Sequence, residues 1–148
     1  MGDRISISFS VTHNLNSNGQ SWKQESATLS SHWQGTNLIK MALDFVENLQ
    51  DAQVSEQTNG FNPLDRLEPD IVMFNFIRMI PSDTEYDKMG SYGMISSDYR
   101  IVKDESHTDN SDNGHYEINL TDCLKENGKP TVSQGNFPIG YAIGKMQT

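Results

Sequence analysis

The sequence predicts an α+β fold: a mostly antiparallel sheet of about six or seven strands, with one amphipathic helix over residues 36–50 packed on it. Three observations carry that expectation. Residues 5–11 read Ile-Ser-Ile-Ser-Phe-Ser-Val, a strict alternation of period two. Residues 36–50 place Leu38, Ile39, Ala42, Leu43, Phe45, Val46 and Leu49 on one helical stripe. The remaining chain breaks into short apolar segments bounded by turn signals such as Asn18-Gly19, Asn59-Gly60 and Asn127-Gly128.

Residues 4–12 form the first strand, with Ile5, Ile7, Phe9 and Val11 on one face and Ser6, Ser8 and Ser10 on the other. The serine face has neither bulk nor charge, so it either stands in water or packs closely against another backbone or a partner sheet. Residues 14–19 turn the chain, and residues 22–29 return as the second strand of a hairpin. Gly35 and Thr36 supply a turn and an N-cap for the helix, whose outer face carries Asp44, Glu47 and Asn48. Its apolar stripe reads as core.

A polar connection follows over residues 51–70, long for a compact domain, which a helical turn near residues 63–67 would shorten. Residues 71–80, Ile-Val-Met-Phe-Asn-Phe-Ile-Arg-Met-Ile, are the most hydrophobic stretch. A nearly continuous run of this kind fits a central strand covered on both faces, interrupted by Asn75 and Arg78 and stopped by Pro81. Residues 89–102 read as one or two strands. Residues 115–120 read as another, with Tyr116, Ile118 and Leu120 on one face, and residues 137–146 as the last. With no repeat and no linker composition, residues 1–148 read as a single domain.

A chain of 148 residues buries about 68–70% of its unfolded surface and needs no covalent staple. Its 16 Ser and 13 Asn suit strand surfaces and turns. The single cysteine, Cys123, excludes an internal disulfide framework. The longest apolar run, residues 71–74, falls far short of the roughly 18 residues of a membrane span. The N-terminus lacks a basic region followed by an apolar core, and the expected location is the cytoplasm of a cell or of an infected host cell.

The net charge of −9 is unevenly spread. Residues 44–70 hold seven acids against one base, and residues 98–126 hold eight against three. Lys and Arg nowhere cluster, which argues against direct nucleic-acid binding. The acidic blocks either keep the chain in solution or meet a basic protein partner. The residues proposed for such contacts are Asp44, Glu47, Asp51, Glu56, Asp65, Glu68, Asp104, Glu105, Asp109 and Asp112.

Motifs for chemistry are incomplete. Asp109, Ser111 and Asn113, followed by Gly114 and later Glu117, resemble the first half of a calcium loop, but Leu120 stands where a bidentate acid belongs. An Asx-rich hairpin tip explains the same residues. His107 and His115 flank that segment and read as loop histidines, since Cys123 alone cannot complete a zinc site. The spacing Gly140-x-x-x-Gly144-Lys145 is one residue short of a phosphate loop. Cys123 has no glycine-rich elbow and reads as a small core or turn residue. The acid pairs Asp83/Glu85 and Asp104/Glu105 are compatible with hydrolysis and equally with acidic loops. Gly2 with Ser6 formally fits a myristoylation pattern, and Asn119-Leu120-Thr121 is a sequon that matters only in a secreted chain. Trp22, Trp33, Tyr86, Tyr92 and Tyr99 are candidate interface aromatics.

These readings lead to a non-enzymatic protein-interaction or self-assembly protein without cofactor, metal or catalytic residues, compatible with a small viral or phage component. The alternatives are an acidic inhibitor or immunity-type protein that blocks a basic, nucleic-acid-binding partner, and a small hydrolase using acidic residues.

Overall fold

The computed structural model describes residues 3–15, 20–55, 62–83, 99–102 and 111–135. These form β1 (Ile5–Leu15), β2 (Gln20–Glu25), β3 (Thr28–Ser31), α1 (Asn37–Ser55), α2 (Pro69–Asp83), β4 (Tyr99–Val102), β5 (His115–Asn119) and β6 (Thr131–Gly135). The architecture is α+β, with a six-stranded mixed sheet of path β4-β3-β1-β5-β6 and β2 attached to β1. β1 is the hub. One of its edges pairs antiparallel with β3 and then β2, and the other pairs in parallel with β5, Ser6 opposite His115. The β3–β4 and β5–β6 pairings are antiparallel, so the one parallel ladder among the described strands is β1–β5.

The return arm of the hairpin is split by a bulge. Ser10 faces Glu25 and Ile7 faces Leu29, so three steps along β1 are matched by four along the return. At the extra residue the Ser26 N–H donates to the Phe9 carbonyl, and the Phe9 N–H donates to Ser26 Oγ at 3.0 Å. The inserted residue reverses the side-chain phase. Lys23 and Glu25 therefore share the serine face, while Leu29 points into the core.

Two helices cover the apolar face. Leu38, Ala42 and Val46 of α1 are buried at helical spacing against Ile5, Ile7, Phe9 and Val11. Thr36 immediately precedes α1, as an N-cap residue should, and the helix runs beyond residue 50 to Ser55. The second helix corrects the reading of residues 71–80 as a central strand. Val72, Met73, Phe76 and Ile80 are buried, whereas Phe74 and Arg78 are exposed, a three-to-four-residue rhythm that no strand produces. Pro69 opens α2, Asp70 sits in its first turn, and the helix passes Pro81 to end at Asp83. Apolar density alone does not distinguish a buried strand from a buried helix.

Phe76 joins the layers, its ring 5.9 Å from Phe9 and 5.4 Å from Phe45. The connection between the helices contains the expected turn at residues 63–67. Asn62 organises it by donating from Nδ2 to the Leu49 carbonyl and accepting from the Leu64 N–H. Tyr99 to Val102 and His115 to Asn119 are strands as predicted; β6 falls where only turns were expected, and residues 137–146 lie outside the described residues. None of the described helices is long and apolar enough to cross a membrane.

Candidate functional site

Two features concentrate polar chemistry. The first is the serine face, opposite the helices. Ser6, Ser8 and Ser10 are fully buried, which corrects the solvated alternative. The register brings His115, Glu117 and Asn119 of β5 and Lys23 and Glu25 of β2 onto the same face. His115 is thus a buried strand residue rather than a loop histidine. Its Nδ1 lies 2.8 Å from Ser6 Oγ and its Nε2 lies 3.1 Å from Ser8 Oγ. Ser8 Oγ donates to Glu25 Oε2 at 3.3 Å, and Ser10 Oγ donates to Glu117 Oε2 at 2.7 Å. Lys23 Nζ closes the network on Glu117 Oε1 at 2.6 Å and stands 3.5 Å from Glu25.

Desolvation dominates the electrostatics of His115. Burial lowers its pKa from 6.5 to about 4; the Glu117 carboxylate opposes the shift and the Lys23 ammonium adds to it. The ring is neutral at physiological pH, so one nitrogen donates while the other accepts. The hydrogen bond to Glu117 holds the Lys23 pKa above its ordinary value, against the opposing effect of burial. Serine hydroxyls beside an imidazole have the composition of a nucleophile–base pair. Here both hydroxyls are buried at 0% exposure, so they act as ties between β1 and β5.

The second feature is a hollow of about 510 Å³ between α1 and the turn following β5. Glu47, Gln50 and Asp51 form the helical wall, and residues 123–129 form the other. Gln50 braces them, its Nε2 donating to the Cys123 carbonyl at 3.0 Å and to the Gly128 carbonyl at 2.9 Å. A Cβ on Gly128 would collide with the Asp122 carbonyl oxygen, so the turn requires glycine there. Asn127 adopts the left-handed conformation beside it, at φ 59°. Leu124 is 46% exposed at this turn. Lys125, paired with Asp122 at 2.8 Å, and Lys129 line the hollow together with Glu47, Asp51 and Glu126. Cys123 is buried, and burial followed by the Asp122 carboxylate pushes its thiol up to about 11, far from the reactive thiolate.

Among the described residues the proposed acidic contacts are dispersed. Glu47 and Asp51 meet at the hollow. Asp44 is paired with Lys40 at 3.8 Å on exposed helix surface. Asp65 accepts from the Asn62 N–H, and the Glu68 carbonyl starts α2 by accepting from Ile71 and Val72. Asp112 accepts from the Arg4 N–H at 2.9 Å, with the Arg4 guanidinium 3.6 Å away. That pair lies at the start of β1, near the first turn of α1, where the Gly35 N–H donates to the Asp3 carbonyl. Glu47 is ten residues into the helix from Asn37, about 15 Å along its axis. Glu56, Asp104, Glu105 and Asp109 lie outside the described residues, as do Tyr86 and Tyr92.

Of the calcium-loop candidates, Asp109 lies outside the described residues and the other three make separate contacts. Ser111 Oγ accepts from Arg4, Asn113 Nδ2 donates to Asp3 Oδ1 and the Arg4 carbonyl, and Glu117 points into the serine-face network. The Arg4 guanidinium stands between Ser111 and Asp112, and no three metal-ligating side chains converge among the described residues. Trp22 and Trp33 are each half exposed, Trp22 stacked 4.3 Å from His13, while Tyr99 packs against the core.

Sequence reasoning missed His115, Gln50, Lys125 and Lys129. For His115 a signal existed: Ile118 and Leu120 face inward, so the odd-numbered residues must share the other side. No comparable signal marked the hollow, which exists only because α1 meets a turn more than seventy positions away. No family model, curated protein or solved structure matches the chain.

Proposed function

We propose that the chain is a non-catalytic interaction protein that docks a basic segment of a protein partner in the hollow between α1 and residues 123–129. The observation carrying this reading is the convergence of Glu47, Asp51 and Glu126 on a hollow whose turn also exposes Leu124, giving charge for attraction and an apolar contact for anchoring. The state of the candidate nucleophiles supports binding over catalysis: Cys123 at the hollow is held as the thiol, and Ser6 and Ser8 on the serine face are fully buried. The dispersal of the other acids supports a local docking site over an extended acidic face that imitates nucleic acid.

The test is an amide-resolved NMR titration of the full chain with a tetra-arginine peptide amide at low salt. Shifts concentrated at residues 47–51 and 123–129, weakened by added salt and lost in the Glu47→Gln/Asp51→Asn variant, are the expected result. Absence of shifts, or shifts unchanged in that variant, would overturn the reading.

A further inference from the structure

Two geometric demands shape the turn that walls the hollow. Residue 127 takes the left-handed conformation, at φ 59°, which asparagine tolerates better than most residues with a side chain. Residue 128 has no room for a Cβ, which would lie 1.7 Å from the Asp122 carbonyl oxygen. Together these demands select Asn-Gly, a pair with chemistry of its own. Glycine leaves its backbone nitrogen unhindered beside the preceding carboxamide, and that amide is then readily lost. Asparagine precedes glycine at residues 18, 59, 113 and 127, and the last two pairs are described. They are held differently. Asn113 is half-buried, its Nδ2 donating to Asp3 Oδ1 at 2.7 Å and to the Arg4 carbonyl at 2.9 Å. Asn127 is exposed, and its carboxamide bonds to none of the described residues.

From this contrast we infer that Asn127 is a self-modification site, at which the side-chain amide is converted to a carboxylate at the hollow. The Gly128 N–H first leaves the Lys125 carbonyl, to which it donates at 2.9 Å, a local opening of an exposed turn. The Gly128 nitrogen then attacks Asn127 Cγ. The N–Cγ bond forms, the Cγ–Nδ2 bond breaks, and the amide nitrogen departs as ammonia with the proton that Gly128 gives up. Water opens the five-membered imide at either carbonyl, giving aspartate or isoaspartate. Either product carries one new negative charge, and water is the only co-reactant. Asn127 lines the hollow with Glu47, Asp51 and Glu126 and with Lys125 and Lys129, so the new charge tips that balance toward acid. A basic segment is then held more tightly. That gain rests on the docking proposed above, whereas the conversion itself does not.

The test is incubation of the folded chain in mildly alkaline buffer, followed by peptide mass spectrometry. Conversion is expected to accumulate at Asn127 while Asn113 stays intact. In urea, where neither side chain is held, the two convert at similar rates. Equal conversion at both sites in the folded chain, or none at Asn127, would overturn the inference whatever the hollow binds. Asn127→Asp supplies one product in pure form, and its affinity for the tetra-arginine peptide at low salt is expected to rise about two- to fivefold. An unchanged affinity, in a chain that does bind the peptide, would overturn the charge effect. If neither form binds it, the docking reading falls, and the mass comparison still decides whether Asn127 converts.

Discussion

The imidazole of His115 and the hydroxyl of Ser6 lie 2.8 Å apart, although 109 residues separate them in the chain. With Ser8 on the other ring nitrogen, the histidine fastens the parallel β1–β5 ladder from its polar side. Removing the ring in His115→Ala takes a partner from two buried hydroxyls, and about 2–4 kcal/mol of stability is expected to go with it. The same burial makes stability depend on pH. Because the folded-state pKa is lowered to about 4, the unfolded chain binds a proton between pH 6.5 and 4 that the folded chain refuses. Stability is complete above pH 6.5 and falls as the pH drops through that window, by on the order of 3 kcal/mol. Urea unfolding at pH 7 and pH 4.5 measures the loss; an equal loss in His115→Gln would show that other groups cause it.

Phe74 and Phe76 distinguish helix from strand directly. Phe76 is fully buried between Phe9 and Phe45, while Phe74 is 63% exposed. Phe76→Ala is expected to cost about 3–5 kcal/mol and Phe74→Ala less than about 0.5 kcal/mol, by chemical denaturation. Two residues on the same face of a strand would cost alike.

The bulge at Ser26 predicts a backbone defect from a small substitution. In Ser26→Ala the Phe9 N–H loses its acceptor inside the sheet, at an expected cost of about 1–2 kcal/mol. Amide exchange at Phe9 accelerates, and Ser26→Thr, which retains a hydroxyl, protects it. Unchanged exchange in Ser26→Ala would mean that the hydroxyl does not hold the bulge.

Cys123 is expected to resist thiol reagents in the native state. With its pKa pushed up to about 11, roughly one thiol in three thousand is ionised at pH 7.5, and the sulfur is buried besides. Labelling with a disulfide reagent proceeds at the unfolding rate in buffer and at once in urea. Rapid stoichiometric labelling of folded protein would contradict this and reopen a reactive-cysteine role.

Local pattern was sufficient where one face of an element is apolar and the other polar. The alternation of residues 5–11 settled both the strand and the inward face of Ile5, Ile7, Phe9 and Val11. The stripe from Leu38 to Leu49 settled α1 in the same way. It was insufficient for residues 71–80, yet a clue was present: Asn75 and Arg78 have opposite parity in a strand but lie on neighbouring flanks of a helix. Side chains that find partners through register, not through neighbours in sequence, were beyond local pattern. The serine face reads the same whether wet or buried until β5 supplies His115 and Glu117 and the bulge turns Lys23 and Glu25 toward it. Likewise, the sequence spells out an acidic chain, but only folding separates Asp112, held by Arg4, from Glu47 and Asp51 at the hollow. Periodicity is a property of adjacent residues and is written in the chain, whereas a site is a meeting of distant ones, decided by strand register and helix placement.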